Sequence, residues 1–199
     1  MNIVCLDMEG VLVPEMWLAF ADATKIPGLN KTTRDEPDYD KLMRGRLDIL
    51  REHNMKIQDV QRVISTMEPL DGAREFLDEL RKLTQVIILS DTFEQFAKPL
   101  IEKLNWPTLF CNTLIVDDEG NITDYVMRCT PSKLTTVRSL QSCGYDTICA
   151  GDSLNDLGMI QASKAGFLFR STPEIKADNP DIPTCEMFDE LLENIKANL

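Results

Sequence analysis

The chain alternates between short apolar runs and longer segments in which apolar residues recur at helical spacing. Runs of four or five mostly apolar residues are typical of buried strands in a parallel sheet, and they lie at residues 3–6, 86–89, 147–150 and 165–169. Amphipathic patterns predict helices at residues 72–83, 93–104, 133–143 and 155–162, and a last helix from Cys185 to the end. The alternation predicts an α/β fold with a doubly wound parallel sheet.

Two segments interrupt this alternation. Residues 14–69 follow the first strand and are too long for a simple crossover; they carry helical patterns at 16–25, 40–53 and 56–66, with a polar stretch at 30–38. We therefore predict a catalytic core from residues 1–13 and 70–199, with 14–69 as an inserted helical cap. Residues 109–128 contain two extended runs around a Gly-Asn turn, which predicts a β-hairpin.

Polar residues follow three of the predicted strands directly. Asp7 follows the first, Ser90 begins a Ser-Asp-Thr sequence after the second, and Asp152 comes after the third. Ligand sites of open α/β sheets lie beyond the carboxyl ends of the strands, so these side chains are expected to converge, together with Glu9, Lys133, Asn155 and Asp156. Several carboxylates at one edge repel each other unless a cation is present, and oxygen ligands that share a metal with phosphate favour Mg²⁺. We predict a Mg²⁺ cofactor.

Composition narrows the range of partners. The net charge of -12 disfavours binding to nucleic acid or to anionic membranes. We find no targeting segment and no apolar stretch long enough to span a bilayer, which predicts a cytoplasmic protein without a membrane partner. The six cysteines form no CxxC pair and are expected to be free thiols. An oligomer is compatible with this composition, which locates no interface.

These residue types suit phosphoryl transfer. A carboxylate such as Asp7 can act as nucleophile through an aspartyl-phosphate. Lys133 can neutralise the transferring group, and the Ser90 hydroxyl with a following N–H group can bind a phosphate oxygen. Glu9 lies two residues beyond Asp7 and can protonate the leaving alkoxide.

Four segments resemble, in order, the four motifs of the haloacid dehalogenase superfamily: residues 7–11 (DMEGV), 90–92 (SDT), Lys133 and 151–156 (GDSLND). The helical insert after the first motif is similar to that of the phosphoserine phosphatase branch. The runs at residues 5–15 and 88–93 resemble a subgroup of that branch that also transfers the phosphoryl group from phosphoserine to homoserine. The resemblance extends over nearly the whole chain, and one departure from the superfamily pattern is Glu9, where aspartate is common.

The resemblance implies roles for individual residues. Asp7 would be the nucleophile and a metal ligand, and Glu9 would be the general acid and offer its main-chain carbonyl to the metal. Asp152 would bind the metal directly, and Asp156 would support the metal and its waters. The implied substrate is O-phospho-L-serine, with homoserine as a possible acceptor. The implied substrate-binding residues are Ser90, Asp91 through its N–H, Lys133, Asn155, Glu15 for the ammonium group and Arg46 for the carboxylate.

Several alternatives stay open from the sequence. Lys103 or Arg128 could take the place of Lys133, and Arg44 could replace Arg46. Asp91 could orient its loop without touching substrate, and Asp156 could simply cap its helix. The same fold could act on another small phosphorylated metabolite, or serve as a non-catalytic phosphate-binding protein. The single histidine, His53, is expected to be a surface residue.

Overall fold

The computed structural model describes residues 1–32, 35–36 and 38–199. Within them, seven strands form one sheet in the order β4-β3-β2-β1-β5-β6-β7. All neighbouring strands are parallel except β3 and β4, which form an antiparallel hairpin. The strands are β1 (Asn2–Leu6), β2 (Gln85–Phe93), β3 (Thr108–Val116), β4 (Ile122–Val126), β5 (Asp146–Gly151), β6 (Ala165–Phe169) and β7 (Thr184–Cys185).

Nine α-helices and a 3₁₀ turn accompany the sheet in the described residues. The longest, α2, has 14 residues, and no described helix combines the length and apolar character needed to cross a membrane. The helices are α1 (Met16–Thr24), α2 (Tyr39–Glu52), α3 (Ile57–Ile64), α4 (Ala73–Arg81), α5 (Glu94–Lys103), α6 (Ser132–Ser142), α7 (Leu157–Gln161), α8 (Pro173–Asp178) and α9 (Phe188–Lys196), and the 3₁₀ turn is Leu154–Asp156.

The central strands of the sheet are buried on both faces, as their apolar runs predict. Along β1, Val4 and Leu6 pack into one apolar cluster, while Ile3 and Cys5 pack into the other. Alternate residues of a strand point to opposite faces, so a continuous apolar run requires cover on both sides. The predicted doubly wound α/β fold is confirmed, and the hairpin prediction is confirmed by β3 and β4.

Three sequence-based boundaries were wrong. The last helix begins at Phe188, because Cys185 is buried and pairs with Phe169 as part of β7. Strand β2 does not end at residue 89 but continues to Phe93 with an irregular register. The helix predicted at 155–162 begins as a 3₁₀ turn, and α8 was not predicted.

Residues 14–69 contain α1, α2 and α3, with residues 33, 34 and 37 of the predicted polar stretch outside the described part. Most buried apolar side chains of these helices belong to the same cluster as one face of the sheet. The segment also contacts the tip of the β3–β4 hairpin, where the Ile57 N–H donates to the Gly120 carbonyl at 2.9 Å. A division into core and cap at residues 13 and 70 stays a prediction.

Candidate active site

Asp7 occupies the centre of the candidate site. It follows β1, and its N–H donates to the Ala150 carbonyl of β5 at 2.9 Å. The carboxylate is buried, and its Oδ1 atom accepts hydrogen bonds from the Met8 N–H at 2.7 Å and the Lys133 ammonium at 2.8 Å. Neither bond uses Oδ2, so one carboxylate oxygen remains for a ligand or a reacting atom.

Lys133 contacts the carboxylates of both Asp7 and Asp156. Its side chain is buried at the start of α6, with Nζ 2.8 Å from Asp7 and 2.6 Å from Asp156. The two rivals lie elsewhere: Arg128 contacts the Phe110 ring and Thr136, and Lys103 bonds Glu68. Burial lowers the pKa of Lys133, but Asp7, Asp156 and Asp91 outweigh that effect and raise it, so the ammonium stays charged.

Asp156 is fully buried at the end of the 3₁₀ turn. Its Oδ2 atom accepts from the N–H groups of Asp152 at 3.1 Å and Ser153 at 3.0 Å, and from the Ser153 hydroxyl at 2.9 Å. Its Oδ1 atom accepts from Lys133. Asp156 therefore caps the turn, as one alternative expected, and also belongs to the charged cluster.

Two glycines allow these acids to pack closely. Gly10 adopts a φ of +74°, and a Cβ atom there would lie 2.4 Å from the Asp152 carboxylate. At Gly151, a Cβ atom would lie 2.3 Å from the Asp156 carboxyl carbon. Both distances are far below van der Waals contact, so a side chain at either position would displace an acid of the site.

The donor set fits a hard divalent cation. Carboxylate oxygens of Asp7, Asp152 and Asp156 all lie within 4.8 Å of one another. Burial and then repulsion from Asp156 raise the pKa of Asp7 well above its ordinary range, and the same two causes raise that of Asp152 to about 7. The three carboxyl groups, when ionised, carry more negative charge than the single ammonium of Lys133 neutralises. Carboxylate oxygens are ligands that suit Mg²⁺.

Glu9 has the protonation state of a proton donor. Burial, then repulsion from Glu15 and a hydrogen bond with it, raises the pKa of Glu9 to about 8. The Met16 N–H donates to the Glu9 carboxyl group at 3.3 Å and fixes its position at the start of α1. A carboxyl group with this pKa is mostly protonated at neutral pH, as general-acid catalysis requires.

The second predicted motif lies within β2. Ser90 is buried, and its hydroxyl accepts from the Thr92 N–H at 3.2 Å. The Asp91 carboxylate accepts from the Ser132 hydroxyl and from the Asn155 amide, the latter at 3.1 Å. The Asp91 side chain therefore joins the second motif to Asn155 of the fourth motif and to Ser132, which precedes Lys133.

Arg46 and Arg44 point to different surroundings. Arg46 is buried, lies over the Trp17 ring at 4.4 Å and donates to the Lys31 carbonyl at 2.7 Å. Its Nε has no hydrogen-bond partner among the residues that the structure describes. Arg44 is exposed and pairs with Asp40 at 2.8 Å. Of these two arginines, Arg46 is therefore the one whose guanidinium lies in the protein interior.

Sequence reasoning assigned no role to two polar groups at the site. The Tyr39 hydroxyl donates to the Asp91 carbonyl at 3.2 Å; its spacing of seven residues from Arg46 places both on one face of α2, a signal that the sequence contains. The buried Thr92 hydroxyl, like Arg46 Nε, has no partner in the described part of the chain. Buried polar atoms are nearly always hydrogen-bonded, so these two indicate a polar ligand or water.

Comparison with known proteins agrees with this geometry. Residues 1–164 match the model of the haloacid dehalogenase-like hydrolase family. A phosphoserine phosphatase of Pseudomonas syringae pv. tomato is 49% identical over 99% of this chain and 84% of its own length. Phosphoserine phosphatase ThrH of Pseudomonas aeruginosa is 47% identical over 96% of this chain and 93% of its own length.

A solved structure shows the same fold. The crystal structure of a phosphoserine phosphatase in its apo form superimposes with a TM-score of 0.77, at 23% identity, over 98% of both chains. The family match, the two full-length relatives and the arrangement of the four motifs around Asp7 all agree. The chain belongs to the haloacid dehalogenase-like hydrolase family.

Proposed function

We propose that this hydrolase cleaves O-phospho-L-serine through an aspartyl-phosphate on Asp7. The observation that carries the substrate assignment is Arg46, a buried guanidinium whose Nε has no partner in the described part of the chain and which interacts electrostatically with Glu15. A zwitterionic amino acid needs one anion and one bidentate cation, and Glu15 with Arg46 supplies such a pair. The names of the two full-length relatives support the same substrate.

The proposed reaction has two steps. In the first, a carboxylate oxygen of Asp7 attacks phosphorus, the bond between phosphorus and the serine oxygen breaks, and protonated Glu9 gives its proton to the leaving alkoxide. In the second, water attacks the same phosphorus, the bond to Asp7 breaks, and Glu9 takes the proton back. Lys133, the Ser90 hydroxyl and the Asp91 N–H hold the phosphate oxygens, with Asn155 beside them.

Mg²⁺ would be held by the Asp7 and Asp152 carboxylates and the Glu9 main-chain carbonyl, with Asp156 outside that set. When bound, it supplies positive charge that stabilises the negative phosphoryl group during transfer.

Replacement of Arg46 by alanine should raise KM for phosphoserine by about 30-fold or more, because a charged hydrogen-bonding contact is worth roughly 2 kcal/mol. The KM for an aryl phosphate without a carboxylate should change little. Arg44→Ala is the matched control, since Arg44 lies two residues away on the same helix but is exposed and paired with Asp40. The measurement is steady-state phosphate release from both substrates. Equal KM effects on both would contradict the amino-acid assignment.

We further propose that homoserine is a second acceptor for the phosphoryl group on Asp7. Its hydroxyl would take the place of water, Glu9 would remove its proton, and Glu15 and Arg46 would bind its ammonium and carboxylate groups. Incubation with phosphoserine and homoserine is expected to give phosphohomoserine, detected by mass spectrometry, while Arg46→Ala should lower the ratio of phosphohomoserine to free phosphate. Release of free phosphate alone at millimolar homoserine would refute the transfer.

A further inference from the structure

Asp91 carries a negative side chain in the part of the site that is proposed to bind phosphate. A carboxylate can only accept hydrogen bonds and would repel a phosphate dianion, so the side chain is no phosphate ligand. Only the main-chain N–H of Asp91 has the correct polarity for that role. The carboxylate therefore needs a different explanation.

Both oxygens of the Asp91 carboxylate are engaged by residues distant in sequence. Oδ1 accepts from the Ser132 hydroxyl, 41 residues away, and Oδ2 accepts from the Asn155 amide at 3.1 Å, 64 residues away. Ser132 precedes Lys133, and Asn155 precedes Asp156. One side chain thus joins the end of β2 to the residues beside both partners of the buried ion pair.

The Asn155 amide is oriented by Asp91. One of its N–H bonds donates to the Asp91 carboxylate at 3.1 Å, while its oxygen lies beside the Ser153 hydroxyl, whose proton is shared with Asp156. An amide nitrogen carries two N–H bonds, so this orientation leaves the second to donate to a phosphate oxygen. Without Asp91, the amide loses the acceptor that fixes its rotamer and can turn that N–H away.

The main chain at Asp91 is also fixed. Its carbonyl accepts from the Asn112 amide at 2.9 Å and from the Tyr39 hydroxyl at 3.2 Å. The carboxylate is therefore carried on a rigid segment, as a group that orients other side chains must be.

We propose that the Asp91 carboxylate is a positioning group that holds the Asn155 amide, and through Ser132 the start of α6, in the geometry that binds a phosphoryl group. The proposal rests on the proposed function only in that a phosphate group binds at this site. In this proposal the Asp91 carboxylate contacts Asn155 and Ser132 and does not contact the substrate.

A double-mutant cycle with Asp91→Ala and Asn155→Ala tests this assignment. Each single change is expected to lower kcat/KM about tenfold and to weaken inhibition by inorganic phosphate by a similar factor. The double variant is expected to lose clearly less than the hundredfold product of the two single losses, because Asp91 acts largely through Asn155 and only for the rest through Ser132. Losses that multiply to about a hundredfold would overturn the proposal, as would an Asp91→Ala enzyme with normal kinetics and only a lowered Tm.

Asp91→Asn keeps the size of the side chain and serves if the alanine variant does not fold. Its amide can still accept from Ser132 but must present an N–H to Asn155, so the same loss of phosphate inhibition is expected; unchanged inhibition would overturn the proposal. The cycle is run with an aryl phosphate as well as phosphoserine. An enzyme that cleaves only the aryl phosphate would refute the substrate assignment and still give the coupling between Asp91 and Asn155.

Discussion

Asp7→Asn is expected to reduce phosphate release from phosphoserine by at least about a thousandfold, the scale seen when a nucleophile is removed. The amide is a poor nucleophile and cannot form the aspartyl-phosphate, although its shape matches the carboxyl group. Rates are measured with and without added Mg²⁺, and wild-type activity should depend on the metal. The matched control is Asp146→Asn, which changes an exposed acid 3.7 Å from the chain's amino terminus and should leave the rate unchanged.

The same substitution is expected to stabilise the metal-free protein. Burial, then repulsion from Asp156, raises the pKa of Asp7, which means that its ionised form is less stable in the folded chain than in the unfolded chain. Asparagine removes that charge, so Tm in the presence of a chelator should rise by a few degrees, at about 2–4 °C per kcal/mol for a chain of this size.

The sign of the pH dependence follows from the raised pKa. Below the ordinary pKa of aspartate, about 4, Asp7 is protonated in both states and the two proteins should differ little in stability. As pH rises above that value, the unfolded chain ionises first and the wild type loses stability relative to the variant. Thermal melts from pH 4 to 8 in chelator measure this difference. A variant that is less stable than wild type at pH 7 would show that the ion pair with Lys133 outweighs the repulsion.

Much of the fold could be predicted because its signals are local and strong. Four apolar runs marked four strands of the sheet, and the break at residues 117–121 marked the hairpin. The two-residue strand β7 had no such signal. Cys185 forms part of it because residues 168 and 169 of β6 offer an open edge, a tertiary effect that outweighs the helical pattern that follows it.

Less of the candidate site than of the fold could be predicted from the sequence. The residues at the ends of β1 and β5 could be placed together because parallel strands end at one edge. Choosing Lys133 over Lys103 and Arg128, and Arg46 over Arg44, required the resemblance. In the structure Lys133 contacts Asp7 and Lys103 contacts Glu68, while Arg46 lies over Trp17 and Arg44 pairs with Asp40. The bonds that Asp91 makes to Ser132 and Asn155 span 41 and 64 residues, and no pattern along the chain encodes such pairs.

Lys133→Met is expected to lower the free energy of unfolding by about 3–5 kcal/mol in metal-free buffer, the usual cost of removing one partner from a buried ion pair. Methionine fills a similar volume, so the loss is electrostatic: Asp7 and Asp156 remain buried without the ammonium that lies 2.8 and 2.6 Å from them. Activity should fall about a hundredfold or more, because the transferring phosphoryl group loses a fixed positive charge. Urea unfolding and steady-state rates measure the two effects.

Lys103→Met is the matched control for this substitution. Lys103 makes three contacts, to the Ser65 and Met67 carbonyls and to Glu68, but it lies outside the acidic cluster. Its removal should cost some stability and leave kcat/KM unchanged. Equal rate losses in both lysine variants would show that Lys133 acts only through the fold.

The effects of Asp7→Asn and Lys133→Met on stability are expected to depend on each other. Lys133→Met leaves Asp7 facing Asp156 without compensation, so Asp7→Asn should be more stabilising in the Lys133→Met background than in the wild type. For the same reason, Mg²⁺ should raise Tm more in Lys133→Met than in wild type, because the ion then supplies the positive charge that the cluster lacks. A Mg²⁺ shift that is the same in both proteins would mean that the ion and the ammonium do not share these carboxylates.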